Sequence, residues 1–272
     1  MTKLLATTAA LALMAGSAAH AQEADWSGLY VGAHAGYTSN DSSDDETLRF
    51  DTSLDGVFTD TVRTAAGANA FSPGFCGGAA TSSLPGSGCK EDDEGFEFGA
   101  RLGYDWQFGG FVLGPVVELS RTNVKDSVAG FSTTPAQYTF ERKLKGLAAL
   151  RLRGGYAFGD NLLYATGGVA QGDVQHSFTT TNTANTFVQR GDDTATGYQF
   201  GGGYERELTP DVTLGLEYLY TNLDDDDFVV RSQGPAAANN PFLLVNSSGT
   251  DLRRSEDELK FHSFRITASY RF

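Results

Sequence analysis

The chain has 272 residues, with 20 Lys+Arg against 34 Asp+Glu and a formal net charge of −14 at pH 7. Acidity on that scale argues against a polyanionic partner and removes nucleic acid from the candidate ligands. Mean hydropathy is −0.27, and past the N-terminal stretch no apolar run approaches the ~20 residues of a membrane helix. That excludes a helical membrane protein but not a transmembrane β-barrel, whose alternating strands average to near-neutral hydropathy.

Lys3 precedes an apolar run over 4–19, and Ala19-His20-Ala21 is a small-x-small cleavage pattern. Residues 1–21 therefore read as a secretory signal peptide, cut before Gln22, with an uncleaved anchor helix as the alternative. Loss of Lys3, the leader's one formally charged residue, takes the net charge from −14 to −15. Residues 22–272 make one domain.

That domain begins with a strand over 25–37, in which Leu29, Val31, Ala33, Ala35 and Tyr37 share one face and Tyr30, Gly32, His34 and Gly36 the other. Residues 38–94 are rich in Asp, Ser, Thr, Gly and Ala and read as a long external loop carrying a short hairpin. Cys76 and Cys89 are the chain's two cysteines. In an exported chain a disulfide closing this loop is the natural reading, with two free thiols the alternative. Such a bridge contributes ~3 kcal/mol by loop-closure entropy.

Strand two covers 95–106, with Phe96, Phe98, Ala100, Leu102, Tyr104 and Trp106 outward and Glu97, Gly99, Arg101, Gly103 and Asp105 inward. A Gly109-Gly110 turn leads into strand three, 111–125, where Glu118 faces inward and Pro115 predicts a bulge because it lacks a ladder donor. After an external loop at 126–137, strand four (138–157) sets Phe140, Leu144, Ala148, Leu150, Leu152 and Tyr156 outward and Lys143, Lys145, Arg151 and Arg153 inward. Strand five (162–175) leaves its facing open at Leu162-Leu163, and 176–193 form the third external loop. Strands six (194–205) and seven (212–223) turn Glu205 and Glu217 inward. A fourth external loop, 224–257, opens with four aspartates. Strand eight, 262–272, alternates strictly: Phe264, Ile266, Ala268, Tyr270 and Phe272 against Arg265, Thr267, Ser269 and Arg271.

The fold class is thus all-β: an eight-stranded antiparallel up-and-down transmembrane β-barrel with short turns at one end and long extracellular loops at the other. A lipocalin-like soluble barrel would put its apolar face inward; here the charges share a face with the small residues and the aromatics lie opposite.

Several motifs recur in order along the chain: Trp26-Ser27-Gly28-Leu29-Tyr30-Val31-Gly32 with Gly36-Tyr37; Gly99-x-x-x-Gly103-Tyr104-Asp105-Trp106; Tyr164-x-x-Gly167-Gly168-Val169-Ala170; and Glu217-Tyr218-Leu219-Tyr220 before the terminal aromatic strand. With these motifs the chain resembles the alphaproteobacterial outer-membrane immunogenic proteins, a surface-antigen family of small porin-like barrels similar to the OmpA and OmpX type. The cysteine-bearing first loop and the acidic fourth loop depart from that pattern. The resemblance implies a Gram-negative outer-membrane location. It also implies that the terminal strand, through Phe264, Ile266, Ala268, Tyr270 and Phe272, is a recognition signal for the barrel-assembly machinery.

An eight-stranded barrel is just wide enough for side chains to fill. Its inward charges, Glu97, Arg101, Asp105, Glu118, Lys145, Arg151, Arg153, Glu205, Glu217, Arg265 and Arg271, predict a salt-bridge network that plugs the lumen, with a charged pathway for small solutes as the competitor. The arginines of the last strand would find their acids among Glu97, Glu118, Glu205 and Glu217. Catalysis has no support in the motifs: His176-Ser177 and His262-Ser263 are neighbours that point to opposite faces, His34 reads as a satisfied interior histidine, and no metal cluster, phosphate loop or nucleophile elbow is present. Asp224, Asp225, Asp226 and Asp227 read as a solvated acidic run, with Ca²⁺ or Mg²⁺ binding as the alternative. Arg253, Arg254 and Lys260 are candidates to touch lipopolysaccharide phosphates.

The function expected is a structural and surface-interaction barrel with lipid, lipopolysaccharide and the assembly machinery as partners and no cofactor. A narrow passive porin is the second reading, and a lipid-modifying enzyme the third.

Overall fold

Period-two alternation leaves a strand with two unlike faces, and a closed antiparallel sheet satisfies both it and the backbone hydrogen bonds at once. The computed structural model describes residues 24–40, 45–92 and 94–272; the predicted leader lies outside them. Sixteen strands appear among these residues: β1 (Gly28–Asn40), β2 (Leu48–Asp51), β3 (Gly74–Gly77), β4 (Ala79–Ala80), β5 (Cys89–Lys90), β6 (Gly95–Phe108), β7 (Phe111–Thr122), β8 (Lys125–Ser132), β9 (Ala136–Phe158), β10 (Asn161–Thr180), β11 (Thr186–Arg190), β12 (Thr194–Thr209), β13 (Val212–Asp224), β14 (Val229–Gln233), β15 (Thr250–Arg254) and β16 (Glu258–Arg271). Eight of them form the barrel in the order β10, β12, β13, β16, β1, β6, β7, β9, with β9 pairing back to β10. β16 closes the wall against β1 in antiparallel register, Ala268 opposite Ala33 and Arg265 opposite Gly36.

Phe96, Phe98, Leu102, Trp106, Leu119, Leu152, Phe200, Phe264 and Ile266 are exposed on the outer wall. That apolar band meets lipid rather than water. The turns at one end are short: Gly109 and Gly159, in the β6–β7 and β9–β10 turns, adopt positive φ (62° and 57°), which glycine takes without steric penalty.

The other end is where the structure departs from the sequence-based expectations. β9 and β10 run for 23 and 20 residues, roughly twice the 9–11 that cross the hydrocarbon core. β8 pairs with the upper part of β9, and β3 with β8, so 126–137 is a strand-and-hairpin extension rather than a loop. β11, β14, β15 and β2 form a separate four-stranded sheet from three of the four long connections. Between these sheets lies an apolar core with Leu48, Phe50, Phe71, Val128, Tyr138, Phe140, Phe242 and Leu252; Phe71 packs 4.5 Å from Phe50 and 5.1 Å from Tyr138, centroid to centroid. The long connections are therefore a folded cap, and Cys76–Cys89 is a disulfide within it.

One residue decides how the cap joins the barrel. Asp173 pairs with Gly146 and Val174 with Leu144, leaving Lys145 as a β-bulge in β9. A single extra residue reverses the facing of everything beyond it. Arg151 and Arg153 face inward as expected, but on the far side of the bulge Phe140, Arg142 and Leu144 are the buried residues, and Lys145 is exposed. Two expectations are corrected: Lys143 and Lys145 do not belong to the interior, and Phe140 and Leu144 do not face lipid. Nor does Pro115 create a bulge. Gly103 pairs with Val116 and Trp106 with Leu113, the same register on either side, and the ladder simply lacks bonds between.

Candidate functional site in the barrel lumen

Successive inward positions stack the lumen into layers. At the turn end Ala24, Trp26, Val112, Leu162 and Tyr164 form an apolar floor, which settles the facing of strand five: Leu162 is buried and Leu163 exposed. Above it lie five buried acids, Glu97, Asp105, Glu118, Glu205 and Glu217, and five buried arginines, Arg101, Arg151, Arg153, Arg265 and Arg271. Equal numbers leave this layer with no formal net charge. Above that comes a second apolar layer including Val124, Leu144, Leu147, Val174, Leu223, Leu259 and Phe261.

Within the charged layer Arg265 is the hub. Its Nη1 donates to Glu97 Oε1, its Nη2 to Glu118 Oε2 and its Nε to Glu217 Oε2, each at 2.7 Å. Arg151 Nη2 also donates to Glu118 Oε2 at 2.9 Å, and its Nη1 to Gln199 Oε1 at 2.8 Å. Nearer the floor, Arg153 donates to Glu205 at 3.0 Å and through Nε to Asp105 at 2.9 Å; Arg101 also donates to Glu205. Arg271 Nη2 reaches Asp105 at 2.8 Å, so the acid of this arginine is Asp105 and not one of the four glutamates. Tyr164 donates to Glu217 at 2.7 Å, and the Arg153 guanidinium lies 4.5 Å from the Tyr30 ring centroid.

Glycines make room for these large groups. A Cβ on Gly103 would collide with the Tyr30 ring, and one on Gly99 with the His34 imidazole. Removing one partner of such a buried pair leaves an uncompensated charge, whereas the intact network need add little net stability. Its consequence is occupancy: the lumen is filled by groups that hold each other in place.

His34 Nε2 lies 3.1 Å from Ser120 Oγ and 3.4 Å from Glu97 Oε1. His34, Glu97 and Glu118 bring potential metal-ligand atoms within 4.8 Å of one another, but Arg265 donates to both carboxylates, so a guanidinium already supplies the positive charge. The His262-Ser263 neighbours diverge: Ser263 is buried and donates to Glu97 at 2.8 Å, while His262 Nδ1 lies 2.8 Å from Tyr218 Oη on the outer side.

A second ionic cluster, unanticipated from the sequence, joins barrel to cap. Arg254 donates to Glu46 Oε2 at 2.6 Å and to Asp126 Oδ2 at 2.7 Å. Arg142 donates to Asp126 at 2.7 Å and Asp225 at 3.3 Å, and His176 Nε2 lies 2.9 Å from Asp225. Burial pushes the Asp126 carboxyl up, but the Arg254 and Arg142 guanidiniums outweigh it and hold the group below its ordinary value. For Glu46 burial wins over Arg254, and the carboxyl is raised. Arg142 was hidden in the sequence because its facing depends on the Lys145 bulge.

These contacts bear on two surface readings. Arg254 is buried and engaged with Glu46 and Asp126, Arg253 lies over the Phe58 ring at 4.4 Å, and Lys260 pairs with Glu258 at 2.5 Å. Asp224, Asp226 and Asp227 are exposed, in keeping with a solvated acidic run, whereas Asp225 turns in to Arg142 and His176; among the described residues the four form no three-ligand cluster. Phe264, Ile266, Ala268, Tyr270 and Phe272 all lie exposed on the outward face of β16 and just beyond it.

Comparison with known proteins agrees with this architecture. The family model for the outer membrane protein beta-barrel domain matches residues 8–272. The 31 kDa outer-membrane immunogenic proteins of Brucella melitensis biotype 1 and Brucella suis biovar 1 are each 29% identical over 196 residues, covering 67% of this chain and 73% of theirs. The 22 kDa outer membrane protein of Rhizobium leguminosarum bv. viciae is 31% identical over 158 residues, 58% of this chain and 67% of that one. Among solved structures, OprG from Pseudomonas aeruginosa superposes with a TM-score of 0.52 at 10% identity, covering 93% of this chain and all of that one, a likeness of fold.

Proposed function

The chain belongs to the outer membrane β-barrel domain family, as a multi-span protein of the Gram-negative outer membrane, and we propose that it serves there as a closed structural barrel displaying a folded cap at the cell surface. The observation that carries this reading is the charge-balanced layer of five acids and five arginines held between two apolar layers. A solute crossing the lumen would have to part ion pairs that are out of contact with water and leave buried charges uncompensated. Relatives named as immunogenic outer-membrane proteins support surface display.

Planar-bilayer recording on the refolded full chain tests the closed barrel against a narrow passive pore. We expect no steady unitary conductance; reproducible single-channel steps would replace this reading with the pore.

Two partners belong to the same proposal. The apolar outward face of Phe264, Ile266, Ala268, Tyr270 and Phe272 suits recognition by the barrel-assembly machinery, and Phe272→Ser should lower the amount of heat-modifiable barrel in the envelope. The cap and upper wall stand where lipopolysaccharide fills the outer leaflet.

A further inference from the structure

The outward face of the upper wall changes character within one strand step. On β7 the exposed residues Leu113, Val117 and Leu119 are followed by exposed Arg121, roughly 7 Å beyond Leu119 at two strand residues. Arg121 pairs with Phe98 on one side and with Gly146 on the other. Next along β9 is the bulged, exposed Lys145, and then Lys143, directly opposite Lys125 of β8. Like charges placed directly opposite in a sheet are destabilising unless an anion stands between them. Lys125 has a carboxylate, Glu141 at 3.7 Å; Arg121, Lys143 and Lys145 have no ion-pair partner among the described residues. In a chain of net charge −14 this is a basic cluster, with Asp173 the acid across the ladder from the bulge.

Beside the cluster the wall is indented. A groove of about 550 Å³ is lined by Phe98, Leu119 and Ala148 on its apolar side and by Arg121 and Gln171 among its polar groups. Gly146 leaves its base without a side chain, and Asp173 and Asp193 stand at its far edge, neither ion-paired with Arg121 among the described residues. An apolar trough with cations at its upper end matches an amphiphile whose acyl chain lies along the wall and whose phosphate sits at the outer interface.

We infer that Arg121, Lys143 and Lys145 form a binding site for the phosphorylated glycolipid of the outer leaflet, an acyl chain lying in the Phe98–Leu119 groove. The inference deepens the lipopolysaccharide contact proposed above and rests on the outer-membrane reading. The bulge contributes directly, because it frees Lys145 to project outward where regular pairing would turn it into the wall.

The test uses the full chain refolded in nanodiscs, with bis-phosphorylated lipid A as probe and native mass spectrometry as readout. Wild type should retain lipid A at least tenfold more tightly than its dephosphorylated form. The combined Arg121→Gln, Lys143→Gln and Lys145→Gln variant should lose that preference while keeping heat-modifiable migration. Equal retention of the two lipids by wild type overturns the inference without needing any variant to fold. An undiminished preference in a folded triple variant overturns the residue assignment, and displacement by millimolar inorganic phosphate would make this a free-anion site instead. Bilayer conductance on the same preparation is read separately, so a conducting barrel that still prefers lipid A would sink the closed-barrel reading alone.

Discussion

Arg265, on the last strand of the barrel, donates to Glu118, on the third, at 2.7 Å across the lumen. The two strands are not neighbours in the wall, so the bond ties opposite sides of the cylinder. Glu97 and Glu217 share the same guanidinium.

Arg265→Met should therefore be among the most damaging single changes, leaving three acids short of their common cation. The expected loss is about 3–5 kcal/mol for a broken buried pair. Urea unfolding in bilayers, followed by gel migration, measures it. Arg265→Lys should recover part of the loss by keeping the charge without the planar fork. A variant as stable as wild type would remove Arg265 from its place as hub.

Deleting Lys145 should separate cap from barrel. Without the bulge, 136–144 change faces, sending Phe140, Arg142 and Leu144 outward. Limited proteolysis from outside the cell should then cut the cap readily while the membrane-embedded strands stay protected. A protease-resistant cap would show that the bulge is dispensable.

Asp225 gives the cap a pH dependence. Burial raises its carboxyl, but the His176 hydrogen bond and the Arg142 charge outweigh burial and hold it below the ordinary value of 3.8. A lowered folded value means that the contribution is complete above the ordinary value and is lost as pH falls through the folded one. Cap protection should thus decline below pH 3.8. Glu46, raised by burial, acts in the opposite sense and is relieved on acidification. Comparing proteolysis of wild type and Asp225→Asn across pH isolates the aspartate: the variant should be cut more readily at pH 7 and depend less on acid. Superimposable profiles would refute its role.

Reducing the Cys76–Cys89 bridge should loosen the cap and spare the barrel. The loop spans 13 positions, worth roughly 3 kcal/mol of closure entropy, and β5 pairs only with the two-residue β4. Cleavage within 77–92 should rise in reductant while the barrel's heat-modifiable transition stays in place. A shift of both together would place the bridge in the barrel's own stability.

The spanning part of the fold was legible because lipid imposes a simple rule. Phe98, Leu102 and Trp106 against Glu97, Arg101 and Asp105 leave one permissible facing, and the glycine turns at 109 and 159 mark where strands reverse. The interior charges were legible for the same reason, Lys143 and Lys145 excepted. Above the membrane that rule lapses. In the run from Tyr138 to Gly146 both parities carry polar residues, so an inserted residue leaves no trace in the alternation, and Arg142 gives no sign of being buried.

The sequence by itself thus determined an eight-stranded barrel, its outer and inner faces, and an interior rich in both signs of charge, because those follow from local periodicity and a two-phase environment. Which acid meets which arginine, that Arg271 takes Asp105, that the long connections fold over a shared aromatic core, and that Lys145 turns the wall inside out were decided only by tertiary structure. Each depends on distance across the lumen or on a one-residue register shift, and neither is written in the spacing of neighbours along the chain.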